Sequence, residues 1–293
     1  MSRLNVLKTY KIYIGGQFPR TESGRYYKAN GKDGEAIANV CLSSRKDVRN
    51  AVVAARKASK SWSERAPFNR GQIVYRIAEM LESRRNQFEY ELLLQGMNES
   101  EAKAELDRCI DRLVYYAGWC DKYQQVSSSV NPVSSPHFNF SVLEASGIVG
   151  VLAPPTSPLL GLISTVIPSI CGGNVVVAIA SEQFPLCAVS FAEVLNSSDV
   201  PGGVVNILTG KMDELADPLA SHMEVNALVC SGIQAETMYR LKEHAVENLK
   251  RFHCYSVDWT SERGQHLSYI TDVQETKTTW HPIEKIGGAS SGY

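Results

Sequence analysis

The sequence lacks the patterns that most directly reveal a function. It has no GxGxxG run, so the glycine-marked dinucleotide turn is absent. Its seven cysteines (Cys41, Cys109, Cys120, Cys171, Cys187, Cys230 and Cys254) are odd in number and contain no CxxC pair. That argues against a disulfide framework and a zinc site, and it fits a reducing compartment. The six histidines show neither HxxxH nor HExxH spacing, so a metal centre is not expected. An excess of charge is missing too. Thirty basic residues against 31 acidic ones leave a net charge of -1, which gives no footprint for nucleic acid or an anionic membrane. No apolar run reaches the roughly 18 residues of a bilayer span. The opening Met1-Ser-Arg-Leu-Asn-Val has no signal-peptide core. The expected location is the cytoplasm.

What is present is alternation. The 293 residues, 44% hydrophobic, suffice for one large or two modest domains with a buried core. The chain is organised around Gly147-Ile-Val-Gly-Val-Leu-Ala-Pro-Pro-Thr-Ser-Pro, which predicts a buried strand over 148–153, a proline turn and an apolar helix from about Pro158. Such a unit opens a nucleotide-binding α/β sheet, whose ligands sit off the carboxyl ends of the strands. Taken alone it is equally one more βαβ unit without a ligand. Further buried strands are predicted at 175–179, 204–208, 227–230 and 252–257, with helices at 185–196, 212–221 and 235–249 between them. The fold class is therefore α/β, a Rossmann-like parallel sheet with right-handed crossovers.

Ahead of it, short strands fill 10–45, and Ser44 is a candidate cap for a helix to Trp62. A second helix is predicted from Pro67 through Phe88. A third starts near Asn98, with Leu106, Ile110, Leu113, Val114, Ala117 and Cys120 inward. Tyr115, Tyr116, Trp119 and Tyr123 are expected to pack rather than to cage a cofactor. His137–Glu144 alternates like an antiparallel strand with one exposed face. After Val257 the α/β pattern stops. Residues 269–282 are read as an extended arm, and 287–293 as disordered.

Several in-order motifs resemble the aldehyde dehydrogenase superfamily over roughly residues 10–255. They are Ile14-Gly-Gly, the 51–62 helix, Arg70-Gly71, Tyr116-Ala-Gly-Trp-Cys-Asp-Lys, Gly173-Asn-Val-Val-Val, Ser181-Glu-Gln-Phe-Pro-Leu and Pro201-Gly-Gly-Val-Val-Asn-Ile-Leu-Thr-Gly210. The 271–283 segment resembles the family's C-terminal strand, which docks on a neighbouring subunit's sheet. The resemblance divides the chain into a cofactor-type region at 1–126, an oligomerisation strand at 127–147, the Rossmann-like part at 148–258 and an oligomerisation arm and tail at 259–293. It further implies a degenerate, truncated member, because the domain carrying the nucleophilic cysteine is missing between the sheet and the arm.

The same resemblance marks the site. Thr156 stands where the family's oxyanion-site motif has asparagine, and a threonine hydroxyl has a shorter reach. Ile179-Ala-Ser-Glu182 replaces a motif whose lysine and glutamate hold the adenosine ribose. Losing the lysine's charged hydrogen bond costs about 1.5–3 kcal/mol. Ser231-Gly232-Ile233 aligns with the segment near the pyrophosphate, and Ile233 takes the place of a serine. Tyr255 aligns with the general base, and a tyrosine with a pKa of about 10 is a poor base at neutral pH. No cysteine sits in a Gly-Gln-x-Cys setting. Cys254, beside the base position, is either a core residue or a displaced nucleophile, and the former is expected.

The resemblance therefore implies no catalytic residue. The cofactor-facing positions are Pro154, Glu182, Gly210 and Gly232, and NAD(P) is held weakly at most. Glu182 is either a relic ribose ligand or a helix-dipole residue, and Gly232 is open to reading as a simple turn glycine. Three functions follow. The first is a pseudoenzyme subunit that assembles with itself or with a full-length aldehyde dehydrogenase. The second is an NAD(P)-dependent oxidoreductase completed by a partner. The third is a weak nucleotide-binding regulatory module.

Overall fold

The computed structural model describes residues 6–283. Three short strands come first: β1 (Thr9–Tyr10), β2 (Tyr26–Asn30) and β3 (Ala36–Cys41), in the order β1-β3-β2. Helix α1 (Arg45–Ser63) begins at the expected Ser44, where Asp47 closes a reciprocal capping box. Its apolar face ends in Trp62, whose buried indole N–H donates to Ile170 O at 3.0 Å.

The single helix predicted after Pro67 is two, α2 (Pro67–Ser83) and α3 (Arg85–Leu94). The apolar period continues across the break, so periodicity could not show it. Ser83 Oγ bonds back to Met80 O at 2.8 Å, and Arg84 turns out of the helix to reach Glu193 at 3.2 Å. Helix α4 (Glu99–Trp119) starts from an Asn98–Glu101 capping box. Its inward stripe differs from the expected one. Val114 is exposed and Ile110 half-buried, whereas Glu105, Cys109, Arg112 and Tyr116 are buried. Two charged residues on the inner face displaced the apolar assignment.

After α5 (Tyr123–Ser127) come β4 (Ser129–Asn131) and β5 (His137–Ala145). The α/β half is β6 (Ile148–Leu152), α6 (Leu160–Cys171), β7 (Val175–Ile179), α7 (Leu186–Asn196), β8 (Val205–Leu208), α8 (Met212–Ala220), β9 (Val225–Ser231), α9 (Ala235–Val246) and β10 (Arg251–Tyr255). Its five strands pair in parallel in the order β10-β9-β6-β7-β8. The order reverses beside β6, so the crevice at the switch point opens between the carboxyl ends of β6 and β9. β6, β7 and β8 are buried throughout, while the edge strand β10 is half-buried.

The segment read as an extended arm is more structured than expected. A helical turn, α10 (Ser268–Thr271), precedes β11 (Gln274–Pro282). β11 pairs antiparallel with β5 of its own chain, from Gln274↔Ala145 to Pro282↔His137, in the sheet β11-β5-β4. The base of the arm is buried. Val273 O accepts from Ser146 Oγ and Asn174 Nδ2, and Gln274 donates to Gly172 O at 3.2 Å. One edge of the arm is thus satisfied within the chain, which leaves its outer edge exposed. The 287–293 tail lies outside the described residues. Among those described, no helix is long and apolar enough to cross a membrane.

Candidate functional site

Three strand ends converge at the switch point. Pro154 is buried at the end of β6, while Pro155 and Thr156 turn outward. Ser181, past β7, donates its hydroxyl to Pro155 O at 2.7 Å and accepts Phe184 N–H at 3.2 Å. Gly232, past β9, has φ +67, and a Cβ there would lie 3.2 Å from Pro155 Cδ. The Pro155 turn is therefore clasped between β7 and β9, and Thr156 is left exposed above it. Glu182 is exposed beside this cluster, with Tyr27 Oη donating to its backbone oxygen at 3.5 Å. Burial, then the Glu182 charge, pushes the Tyr27 hydroxyl above its ordinary range.

Gly210 and Ile179 do not face the crevice. Gly210 is buried, and a Cβ there would meet Ser43 N at 3.1 Å. Ile179 is a core side chain between Leu152 and Leu208. A cleft of about 580 Å³ between α2 and α4, lined by Phe68, Tyr75, Val114 and Lys122, includes none of the strand-end residues.

The helix end nearest the crevice is already occupied. Exposed N–H groups at a helix N-terminus attract anions. At α6 the acceptor is Glu105 of α4, which takes Leu159 N–H at 3.2 Å and Leu160 N–H at 2.8 Å. Ser157 Oγ takes Gly161 N–H at 2.8 Å. Burial raises the Glu105 pKa, and the two backbone bonds oppose that shift. An incoming phosphate would have to displace this buried carboxylate. At the start of α9, Gln234 makes no side-chain cap, and Gly232, Gln234 and Ala235 are exposed. Glu236 in the first turn places a negative charge there.

The carboxyl ends of β9 and β10 are covered by the chain itself. Trp259 is 5% exposed and donates its indole N–H to Ser231 Oγ at 3.2 Å. Tyr255 Oη donates to Asp272 Oδ2 at 2.8 Å and packs edge-on against Tyr269, ring centres 4.7 Å apart. Burial and the Asp272 charge hold the Tyr255 hydroxyl far above its usual range.

Arg112 of α4, 4% exposed, secures this cover from below. Its guanidinium donates to Trp259 O at 3.0 Å, to Gln265 Oε1 at 3.3 Å, and to Gly264 O and Ser164 Oγ. Tyr116 Oη adds a bond to His266 O at 3.2 Å. Sequence reasoning missed Glu105, Arg112, Trp259 and Asp272. The available signal was a charged pair, seven residues apart, on the inward stripe of α4.

The profile of the aldehyde dehydrogenase family matches residues 18–255. This chain belongs to that family. It is 30% identical over 257 residues to cytosolic 10-formyltetrahydrofolate dehydrogenase of Xenopus tropicalis, covering 86% of this chain and 28% of that one. It is 32% identical over 243 residues to an aldehyde dehydrogenase of Davidiella tassiana, covering 82% of this chain and 48% of that one. Among solved structures, HpcC from Thermus thermophilus superposes with a TM-score of 0.80 at 26% identity, covering 84% of this chain and 48% of that one. The NAD+ complex of a Bacillus cereus aldehyde dehydrogenase, at 24% identity and TM-score 0.80, shares the fold. The chain thus spans half or less of the relatives it matches.

Within the aldehyde dehydrogenase frame, the residues around the switch point can be tested for a dinucleotide. Exposed Glu182 and the uncapped start of α9 suit one. Buried Ile179 offers no hydrogen bond, Glu105 fills the α6 terminus, and Glu236 repels phosphate at α9. Taken together these residues do not fit a dinucleotide held by its charged groups. The position aligned with the family's general base, Tyr255, is committed as a donor to Asp272. Cys254 is half-buried on the edge strand, facing Cys230 across the ladder.

Proposed function

We propose that this chain is a non-catalytic member of the aldehyde dehydrogenase family, a cytoplasmic structural or regulatory subunit that assembles with itself or with a full-length aldehyde dehydrogenase. The observation that carries this reading is the closure of the β9–β10 ends. The base-aligned Tyr255 is tied to Asp272, and Trp259, held by Arg112, closes over the β9 end beside it. A base must accept a proton, and a buried tyrosine donating to a carboxylate cannot do so near neutral pH. The exposed apolar residues of the β11-β5-β4 sheet, Trp280 at 56% and Phe138 at 44%, support an assembly role.

Two measurements on the purified chain test the reading. Aldehyde-dependent NADH production should stay at background, and turnover above background would refute it. Purification of the untagged native complex should show either a self-assembled oligomer or a full-length aldehyde dehydrogenase alongside it. A lone monomer would remove the subunit role.

The uncapped α9 terminus beside exposed Glu182 supports a second reading, a regulatory module with weak NAD(P) affinity. NADH fluorescence titration separates the two: saturable binding below the millimolar range favours the module.

A further inference from the structure

Cys230 and Cys254 stand directly opposite each other on the neighbouring parallel strands β9 and β10. Side chains in register on adjacent strands leave the same face, with backbones about 4.8 Å apart. That separation lies inside the roughly 4.4–6.8 Å that a disulfide spans between Cα atoms. The Cys230 thiol is turned toward β10, its Sγ 3.5 Å from His253 O. Access is asymmetric. Six of the seven cysteines are buried, and only Cys254, on the half-buried edge strand, is reachable from solvent.

We propose that Cys230 and Cys254 form an oxidisable dithiol, which a peroxide converts into a reversible disulfide tying the edge strand β10 to β9. The Cys254 thiolate attacks the peroxide O–O bond, giving a sulfenic acid and releasing hydroxide or alkoxide. The Cys230 sulfur then attacks the Cys254 sulfur. The S–S bond forms, the hydroxyl leaves as water with the Cys230 proton, and two thiols have lost two electrons to one peroxide. Cys254 is the more exposed of the two thiols, so it meets the peroxide first and the buried Cys230 resolves. An external thiolate attacks such a bridge through a mixed disulfide and releases both thiols. A thiol reductant therefore restores the pair.

The consequence falls on the arm. The alternate β10 residues face the other way and grip it, Arg251 on Glu275 at 2.5 Å and Tyr255 on Asp272 at 2.8 Å. Linking β10 to β9 fixes the strand from which both contacts are made.

The test is exposure of the native full chain to stoichiometric hydrogen peroxide, followed by peptide mapping without reduction. The expected result is a linked Cys230–Cys254 peptide, a loss of two free thiols, and full recovery in dithiothreitol. Cys254→Ser should lose no thiols under the same exposure, whereas Cys230→Ala should stop at a Cys254 sulfenic acid that dimedone traps. If Cys230→Ala does not fold, the wild-type products still decide. Dimedone-labelled or over-oxidised Cys254 without the link, or a link to any other cysteine, overturns the proposal.

Discussion

If Arg112 holds the cover over β9 and β10, replacing it with methionine should open that cover. Methionine preserves much of the side chain's length and apolar contact, so the change isolates the hydrogen bonds. It leaves Trp259 O and Gly264 O without their buried donor. Each unpaired buried carbonyl costs about 1–3 kcal/mol. Removing a desolvated cation returns part of this, since burial already lowers the Arg112 pKa. The net loss is about 3 kcal/mol.

The outcome depends on where that loss is felt. If residues 258–269 open as a local unit, amide protection there should fall by about a hundredfold, at roughly 1.4 kcal/mol per factor of ten. Protection in β6 and β7 should hold. If the whole chain feels the loss, the melting temperature should drop by about 5 °C. Hydrogen exchange by mass spectrometry with a parallel thermal melt distinguishes the two, and limited proteolysis should cut the opened segment first. Arg112→Lys should recover little, because an ammonium cannot reach four separated acceptors at once. Unchanged protection over 258–269 and an unchanged melt would refute the role given to Arg112.

Burial raises the Glu105 pKa, so the folded state favours its protonated form. That contribution is fully present below about pH 4.5 and is lost as pH rises through the raised folded value. The melting temperature of Glu105→Gln relative to wild type should therefore climb over that window; a flat difference would mean Glu105 does not titrate there. Tyr255→Phe removes the bond to Asp272 and should cost about 1 kcal/mol, read by urea denaturation. Gly232→Ala forces a side chain into φ +67 against Pro155 and should cost about 1–2 kcal/mol in the same assay. Phe138→Ser combined with Trp280→Ser should shift the chain toward smaller species in light scattering, at a concentration where wild type self-associates.

The sheet was legible because its central strands are buried throughout. Runs such as Val175–Ile179, closed by glycine or proline, leave few alternatives to a parallel core strand. The capped helix start at Ser44 was legible from side-chain chemistry, and a start near Asn98 was expected without its capping box. The break at Arg84 was not, because it depends on Glu193, more than a hundred residues away. The candidate site was legible only in part. The turn at Pro154 was placed by pattern, and Glu182 and Gly232 by the family resemblance, and all three lie at strand ends, whereas Gly210 and Ile179, named by the same resemblance, turn inward. The cover escaped entirely. Thr260–Gln265 reads as polar loop, and what orders it is one guanidinium on a helix some 150 residues earlier.

The cover and the arm are held by a common element. β10 alternates in the usual way, so Arg251, His253 and Tyr255 share one face and Phe252 and Cys254 the other. The first face meets the return of the chain: Asp272 takes the Tyr255 proton donor and lies 3.8 Å from His253, and Glu275 pairs with Arg251. Immediately between those contacts, Val273 and Gln274 are buried, and Gln274 opens the register of β11 on β5. An edge strand of a cofactor-type sheet thus fixes both the segment that closes the sheet's ligand end and the strand that completes the β11-β5-β4 sheet. Substituting Tyr255 by an acid to imitate the family's base would set a second carboxylate against Asp272. The repulsion would loosen cover and arm together, so these groups cannot be returned to catalysis without weakening the surface that the proposed assembly uses.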